Sequence, residues 1–154
     1  MHVYIATSLA NHANHNLLRD ELAKHGIRLS FDWTLPRDPE IPRSELAWLE
    51  LQGVKYADLV VVLLPGGRGT HVEFGAALAY EKPIIVYGPE QQVNGTLGDC
   101  IFFALDKDII RMSMDGYTTF EFMAPKLALL VAQRLKALEY RQLSEDRREE
   151  SQNE

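Results

Sequence analysis

The sequence predicts an α/β fold: a doubly wound, Rossmann-like or flavodoxin-like, mostly parallel five-stranded sheet flanked by helices. Two observations predict it. Segments rich in β-formers alternate with segments of helical spacing along the chain. The most apolar segment, ADLVVVLLP (Ala57–Pro65), is a continuous run, the pattern of a parallel strand covered on both faces.

The elements follow in order. VYIAT (Val3–Thr7) is a short β-rich run. In NHNLLRDELAKHG, Leu17, Leu18, Leu22 and Ala23 recur at helical spacing, and Gly26 stops the helix. IRLSFDW (Ile27–Trp33) alternates, with Ile27, Leu29 and Phe31 on one face. The next segment, Thr34–Pro42, holds three prolines and reads as a loop. Ser44 is placed to cap a helix through about Tyr56, with Leu46, Leu49 and Val54 facing inward. After the central strand, Thr70 begins another helix, and KPIIVYG is a further strand. CIFFAL and DIIRMS are both strand candidates, and Asp115-Gly116 marks a turn. A final helix is predicted from Ala124 to Tyr140, with Leu127, Leu130, Val131, Leu135 and Leu138 on one stripe. Pro125 suits its first turn, where no N–H is needed.

Composition sets the outer limits. With 154 residues, 46% hydrophobic and 25% charged, the chain reads as one domain over residues 1–142. Residues 143–154 form a charged tail, expected to extend the last helix and then fray. The formal net charge of -6 argues against nucleic acid as a partner. No apolar run is long enough to span a bilayer, and the N-terminus lacks a secretory pattern, so no membrane partner and a cytoplasmic location are expected. The single cysteine, Cys100, rules out an intrachain disulfide and a Cys-rich zinc site.

Ligands of doubly wound sheets lie beyond the carboxyl ends of the strands. That rule selects Ala6–Asn11, Asp32–Thr34, Pro65–Glu73 and Gly88–Gly98. Gly66, Gly67 and Gly69 let backbone N–H groups approach a ligand, and the helix after them offers its positive dipole end to a phosphate. Arg68 adds a charge. The turn lacks the Lys-Ser/Thr pair of an NTPase P-loop, and it does not match G-x-G-x-x-G. On its own, a glycine turn before a helix is as often only a tight turn.

Glu73 adds chemistry to that turn. Its neighbours Val72, Phe74, Gly75, Ala76, Ala77, Leu78 and Ala79 are apolar or small, so the helix is expected to be mostly buried. A carboxylate near its start then points toward the ligand and can attack or stabilise an anomeric carbon.

These residues resemble a known family. VYIAT together with ADLVVVLLPGGRGTHVEFGAALAYEKPIIVY is similar to the nucleoside 2-deoxyribosyltransferase superfamily, which includes the 2'-deoxynucleoside 5'-phosphate N-hydrolases. Gly69, Glu73, Gly75, Ala77, Lys82 and Pro83 fit its pattern G-x-x-x-E-x-G-x-A followed by Lys-Pro. The resemblance covers Val3 to about Tyr87 and, more loosely, extends to Arg111. It implies that Glu73 is the nucleophile and that Glu50, where the family usually has Asp, assists by touching a sugar hydroxyl. Tyr4 and the loop Ala6-Thr7-Ser8 match the strand end that contacts base and sugar. Six residues before the nucleophile the transferases tend to carry Asp and the N-hydrolases Ser; this chain has Gly67. A bare N–H there, beside Arg68 and Thr70, is expected to suit a phosphate.

PGGRGTHVE also resembles P-G-G-x-G-T-x-x-E of the lonely-guy-type phosphoribohydrolases, although the second glycine-rich stretch of those enzymes is missing. Both resemblances imply cleavage of an N-glycosidic bond in a (deoxy)nucleoside or its 5'-monophosphate, by hydrolysis or by transfer to another base. Neither implies a cofactor or a metal. The first implies a homodimer or larger homo-oligomer, with the helices over 44–56 and 124–140 offering apolar contacts. The alternatives are a module that senses a nucleotide-derived ligand such as an NAD fragment, and an NAD-type glycohydrolase.

Other residues carry two readings each. Trp33 can stack on a base and Asp32 can bond sugar or base; both can equally be structural. His12 and His15 have helical metal spacing but no third ligand, so surface or capping roles are expected. His71 can donate a proton to a leaving base or simply face solvent. Tyr87 and Asn94 lie near the fourth strand end, where the loop Pro89–Gly98 can act as a lid. Cys100 reads as a core thiol.

Overall fold

The computed structural model describes residues 1–36, 41–95, 100–105, 108–114, 116 and 118–152. Its sheet has five parallel strands: β1 (His2–Ala6), β2 (Arg28–Leu29), β3 (Leu59–Leu63), β4 (Ile84–Pro89) and β5 (Ile109–Met114). Their order is β2-β1-β3-β4-β5. Helices α1 (His12–Lys24), α2 (Arg43–Tyr56), α3 (Arg68–Ala79), α4 (Glu90–Val93) and α5 (Phe120–Gln152) connect and flank them. This is the α/β architecture expected from the alternation of elements.

The pleat sorts the strand residues onto two faces. Val3, Ile5, Leu59, Val61, Leu63 and Ile85 pack with Leu18 and Leu22 of α1 and Leu127, Val131 and Leu135 of α5. Tyr4, Ala6, Val60, Val62, Ile84 and Val86 pack with Val54 of α2, Phe74 and Ala77 of α3, and Phe103. All five residues of β3 are buried, which is why it reads as an unbroken apolar run. The chain leaves β1 toward β2 on one side and returns to β3 on the other. The carboxyl ends of β1 and β3 therefore meet at the switch point, where the Thr7 hydroxyl donates to the Leu63 carbonyl at 2.9 Å.

Several expected elements differ. The second strand is only Arg28–Leu29 instead of Ile27–Trp33. Beyond it, the Ser30 N–H bonds Val3 O and the Ser30 hydroxyl bonds Gly53 O at 2.7 Å, which draws the chain toward α2. CIFFAL holds a 3-10 turn (Ile101–Ala104) and no strand. Both edges of β4 are already taken, by β3 and β5, and Arg111 of β5 donates to the Phe103 and Leu105 carbonyls. The last helix starts at Phe120, so Pro125 lies inside it and leaves the carbonyl of exposed Glu121 without its helical donor. The charged tail is helical as far as Gln152.

Helix α2 starts at Arg43, and only Val54 of its three expected inward residues is buried. Helix α3 starts at Arg68 with Gly67 as its N-cap, two residues before the expected Thr70. It is covered on one side only: Thr70, Glu73, Phe74 and Ala77 are buried while Val72 is 62% exposed. Residues 37–40 of the proline-rich loop, residues 96–99 of the expected lid and Asp115 of the expected turn lie outside the described residues.

Candidate active site

A cavity of about 480 Å³ opens at the carboxyl ends of β1, β2 and β3. The loop after β1 supplies Thr7, Ser8, Leu9 and Ala10. The loop after β2 supplies Trp33, helix α2 supplies Leu46 and Glu50, and the glycine turn supplies Gly67, Arg68, Gly69, Thr70 and Glu73. A larger groove of about 590 Å³ lies at the opposite end, against Met1, Asp58, Pro83 and the second half of α5. The smaller cavity is the candidate site, because it sits at the switch point and encloses the buried carboxylate.

Glu73 occupies the first turns of α3 and is 6% exposed. The Tyr4 hydroxyl donates to its Oε1 at 2.5 Å, while Oε2 is buried with no hydrogen-bond partner among the described residues. Burial pushes the Glu73 carboxyl up to about 7; the Tyr4 hydroxyl opposes the rise and the nearby Glu50 charge adds to it. The group is therefore divided between acid and carboxylate near neutral pH. Tyr4 reaches it because residue 53 of α2 is glycine. A Cβ there would stand 2.6 Å from Phe31 Cβ and 2.8 Å from the Tyr4 ring.

The glycine turn is built by Thr70. Its hydroxyl accepts the Gly67 N–H at 3.0 Å, and a Cβ on Gly66 would stand 2.7 Å from Thr70 Cγ2. This corrects one expectation: the Gly67 N–H is already bonded within the turn. The positive end of the site is formed instead by the next N–H groups of the α3 N-terminus and by Arg68, the one cation among the described lining residues. Gly67 has an ordinary φ of -99°. A Cβ added to it would rest 3.5 Å from Ser8 Cβ, so a side chain at 67 would face the cavity mouth without strain.

The remaining expected residues divide. Trp33 lines the cavity, its Nε1–H donating to Ile5 O at 3.2 Å. Asp32 does not line it: one oxygen accepts from the Thr34 N–H and hydroxyl, the other from Arg19 at 3.2 Å. Burial works to raise the Asp32 carboxyl, but the Thr34 and Arg19 hydrogen bonds outweigh it and hold the group below its ordinary range. Ala6 is packed within the core beside the site. His71 turns away as well. Its Nδ1 lies 2.8 Å from Gly67 O, and the ring lines a separate cavity of about 190 Å³ with Pro65, Gly66, Gln92 and Phe103.

His15 is fully buried, contrary to the expected surface role. Tyr87 is buried against Phe120, at the fourth strand end, which does not contribute to the cavity among the described residues. Cys100 is half-buried against the α2–α3 side of the core. Among the described residues, no group of three His, Cys, Asp or Glu side chains is placed to hold a metal ion. No helix among them is long and apolar enough to cross a membrane. Sequence reasoning placed Leu9 and Ala10 in the strand-end loop without singling them out, read Leu46 only as an inward helix residue, and missed Gly53. Their only signal is position, at strand ends or on the α2 face that carries Glu50.

No protein-family model and no curated protein matches the chain. Solved structures do. The CMP N-glycosidase BcmB of Clostridium botulinum matches with a TM-score of 0.59 at 19% identity, over 84% of this chain and 99% of that one. A conserved protein from Enterococcus faecalis matches with a TM-score of 0.52 at 17% identity, over 89% of this chain and 98% of that one. At these identities the likeness is one of fold, and it extends over nearly the full length of both neighbours.

Proposed function

We propose that this protein cleaves the N-glycosidic bond of a nucleoside 5'-monophosphate. One observation carries the reading: a buried Glu73, bonded to Tyr4, stands in a strand-end cavity whose rim is the positive end of α3. The fold shared with a CMP N-glycosidase supports it. The family resemblance supports it further.

The chemistry follows from the two ends of the cavity. A phosphate is held by Arg68 and the N–H groups that open α3. The sugar then lies toward Glu73 and Glu50, and the base toward Trp33. Ionised Glu73 attacks the anomeric carbon, and the C–N bond breaks with its electron pair leaving on the base. The base takes up a proton from solvent water, and Glu50 holds a sugar hydroxyl. Water then attacks the anomeric carbon, breaking its bond to Glu73 and freeing the carboxylate, and its proton returns to solvent; a second base in place of water makes the reaction a transfer. Tyr4 steadies the carboxylate and keeps its oxygen aimed. Thr7 and Ser8 complete the sugar-side wall. The reaction as written uses no cofactor or metal. A second copy of the chain is proposed to cover Trp48 of α2 and Val72 of α3, both exposed.

The test is a panel of nucleosides and 5'-monophosphates, in deoxy and ribo forms, with and without an acceptor base. Free base is measured by chromatography. Full activity in Glu73→Ala defeats the mechanism.

A binding role is the second reading, and one observation favours it. Glu73 Oε2 is enclosed, and near neutral pH much of the group is in the acid form, which binds but does not attack. Tight binding of a nucleotide or NAD fragment without turnover, retained in Glu73→Gln, identifies that role.

A further inference from the structure

The loop after β2 is held by more polar structure than a turn requires. Asp32, with its side chain 9% exposed, accepts from Thr34 and from Arg19 of α1. Asn16 Oδ1 also accepts from Arg19, at 3.1 Å, and lies 2.9 Å from the Thr34 hydroxyl. Beside this cluster the fully buried His15 ring lies 4.9 Å from the Trp33 ring. On its other side, Trp33 is tied by its indole N–H to Ile5 O. That bond uses a β1 carbonyl where β2 has already ended.

None of Arg19, Asn16, His15, Asp32 or Thr34 lines the cavity, while Trp33 does. His15, Asn16 and Arg19 are one turn of α1, so one helix face holds both the loop and the back of the indole. Stability alone does not call for this arrangement, since an ion pair whose arginine is 30% exposed contributes little. What the network touches at the cavity is Trp33, held by the indole N–H bond to Ile5 O on one side and the His15 ring on the other.

We propose that Arg19 and His15 are positioning residues that hold Trp33 as a rigid wall for a planar heteroaromatic base. This rests on the nucleotide reading of the cavity. A wall fixed before binding spares the ordering of a large side chain when the ligand arrives. Its loss therefore weakens ground-state and transition-state binding equally, which raises KM and leaves kcat in place.

The experiment uses the full chain with Trp48→Phe, so that Trp33 is the sole tryptophan, excited beyond the tyrosine absorption band. Arg19→Met removes the donors at similar length; Arg19→Lys keeps the charge. Acrylamide quenching of Trp33 is expected to at least double in Arg19→Met. KM for the best 5'-monophosphate is expected to rise about tenfold, with kcat within about twofold, the equivalent of ordering one side chain. Arg19→Lys recovers part of both. His15→Leu, which keeps bulk but loses the ring contact, shifts the Trp33 emission maximum and raises KM in the same sense.

Unchanged quenching in Arg19→Met overturns the proposal, and so does changed quenching with unchanged KM. The functional reading fails separately, as absence of free base with the parent protein. CMP and AMP titrations read by Trp33 fluorescence then decide the wall. Equal affinity in parent and Arg19→Met overturns it, as does no response in either.

Discussion

Replacing Glu73 with Gln is expected to stabilise the protein and stop its chemistry, and the size of the gain depends on pH. Gln keeps the shape and can still accept from the Tyr4 hydroxyl, but it cannot ionise. In the folded state the Glu73 carboxyl titrates at about 7 instead of 4.5. The folded protein thus holds this proton more tightly than the unfolded chain. A raised carboxyl favours folding below the unfolded value, and that advantage is lost as pH rises from about 4.5 through 7. Each pKa unit is worth about 1.4 kcal/mol, so parent stability falls by about 3 kcal/mol across that window through this group. Gln has no such loss. Urea unfolding of both proteins at pH 5 and pH 8 measures the difference. The Gln variant should gain about 2.5 kcal/mol relative to the parent between the two pH values, while all unlinked groups cancel. For a chain of this length that corresponds to a relative shift in Tm of about 5–10 °C. A stability difference that stays flat with pH would refute the argument that burial holds Glu73 protonated. Under the proposed mechanism, kcat should rise with pH through about 7 as Glu73 ionises.

Further outcomes follow from the site. Gly53→Ala drives a methyl to within 2.8 Å of the Tyr4 ring. It should cost about 1–3 kcal/mol in urea unfolding and lower kcat by moving the Tyr4 hydroxyl off Glu73. Arg68→Ala should raise KM for 5'-monophosphates about tenfold or more while leaving free nucleosides unaffected, as expected for loss of a charge-assisted phosphate contact. Phe103 is 2% exposed and stacks on Phe74 at 4.4 Å. Phe103→Ala should lower stability by about 3–5 kcal/mol through the space it empties. Trp48→Glu should leave monomer folding intact and shift any self-association, seen by light scattering, toward smaller species.

The layout of the fold was legible in the chain because strand and helix are local patterns. The unbroken apolar run at Leu59–Leu63 marks a strand buried on both faces, and the glycines after it mark the site's rim. Edges were less legible. Ile27–Trp33 alternates like a strand, yet β2 is only two residues long, and beyond it β1 carbonyls accept from the Ser30 backbone N–H and the Trp33 indole N–H. CIFFAL has strand composition, but no sheet edge is open to it beside β4.

By itself, the sequence determined which residues stand at the strand ends: Thr7, Ser8, Trp33 and the turn from Gly67 to Glu73. Strand register and helix period are properties of neighbouring residues. Tertiary structure alone decided where the side chains point. Tyr4 and Glu73 are 69 residues apart and meet only because Gly53 leaves room between them. Asp32 turns to Arg19, His71 turns to Gly67 O, and the Gly67 N–H is taken by Thr70. Each of these choices depends on which donor or empty volume another element brings within about 3 Å, and one segment's pattern does not contain that information.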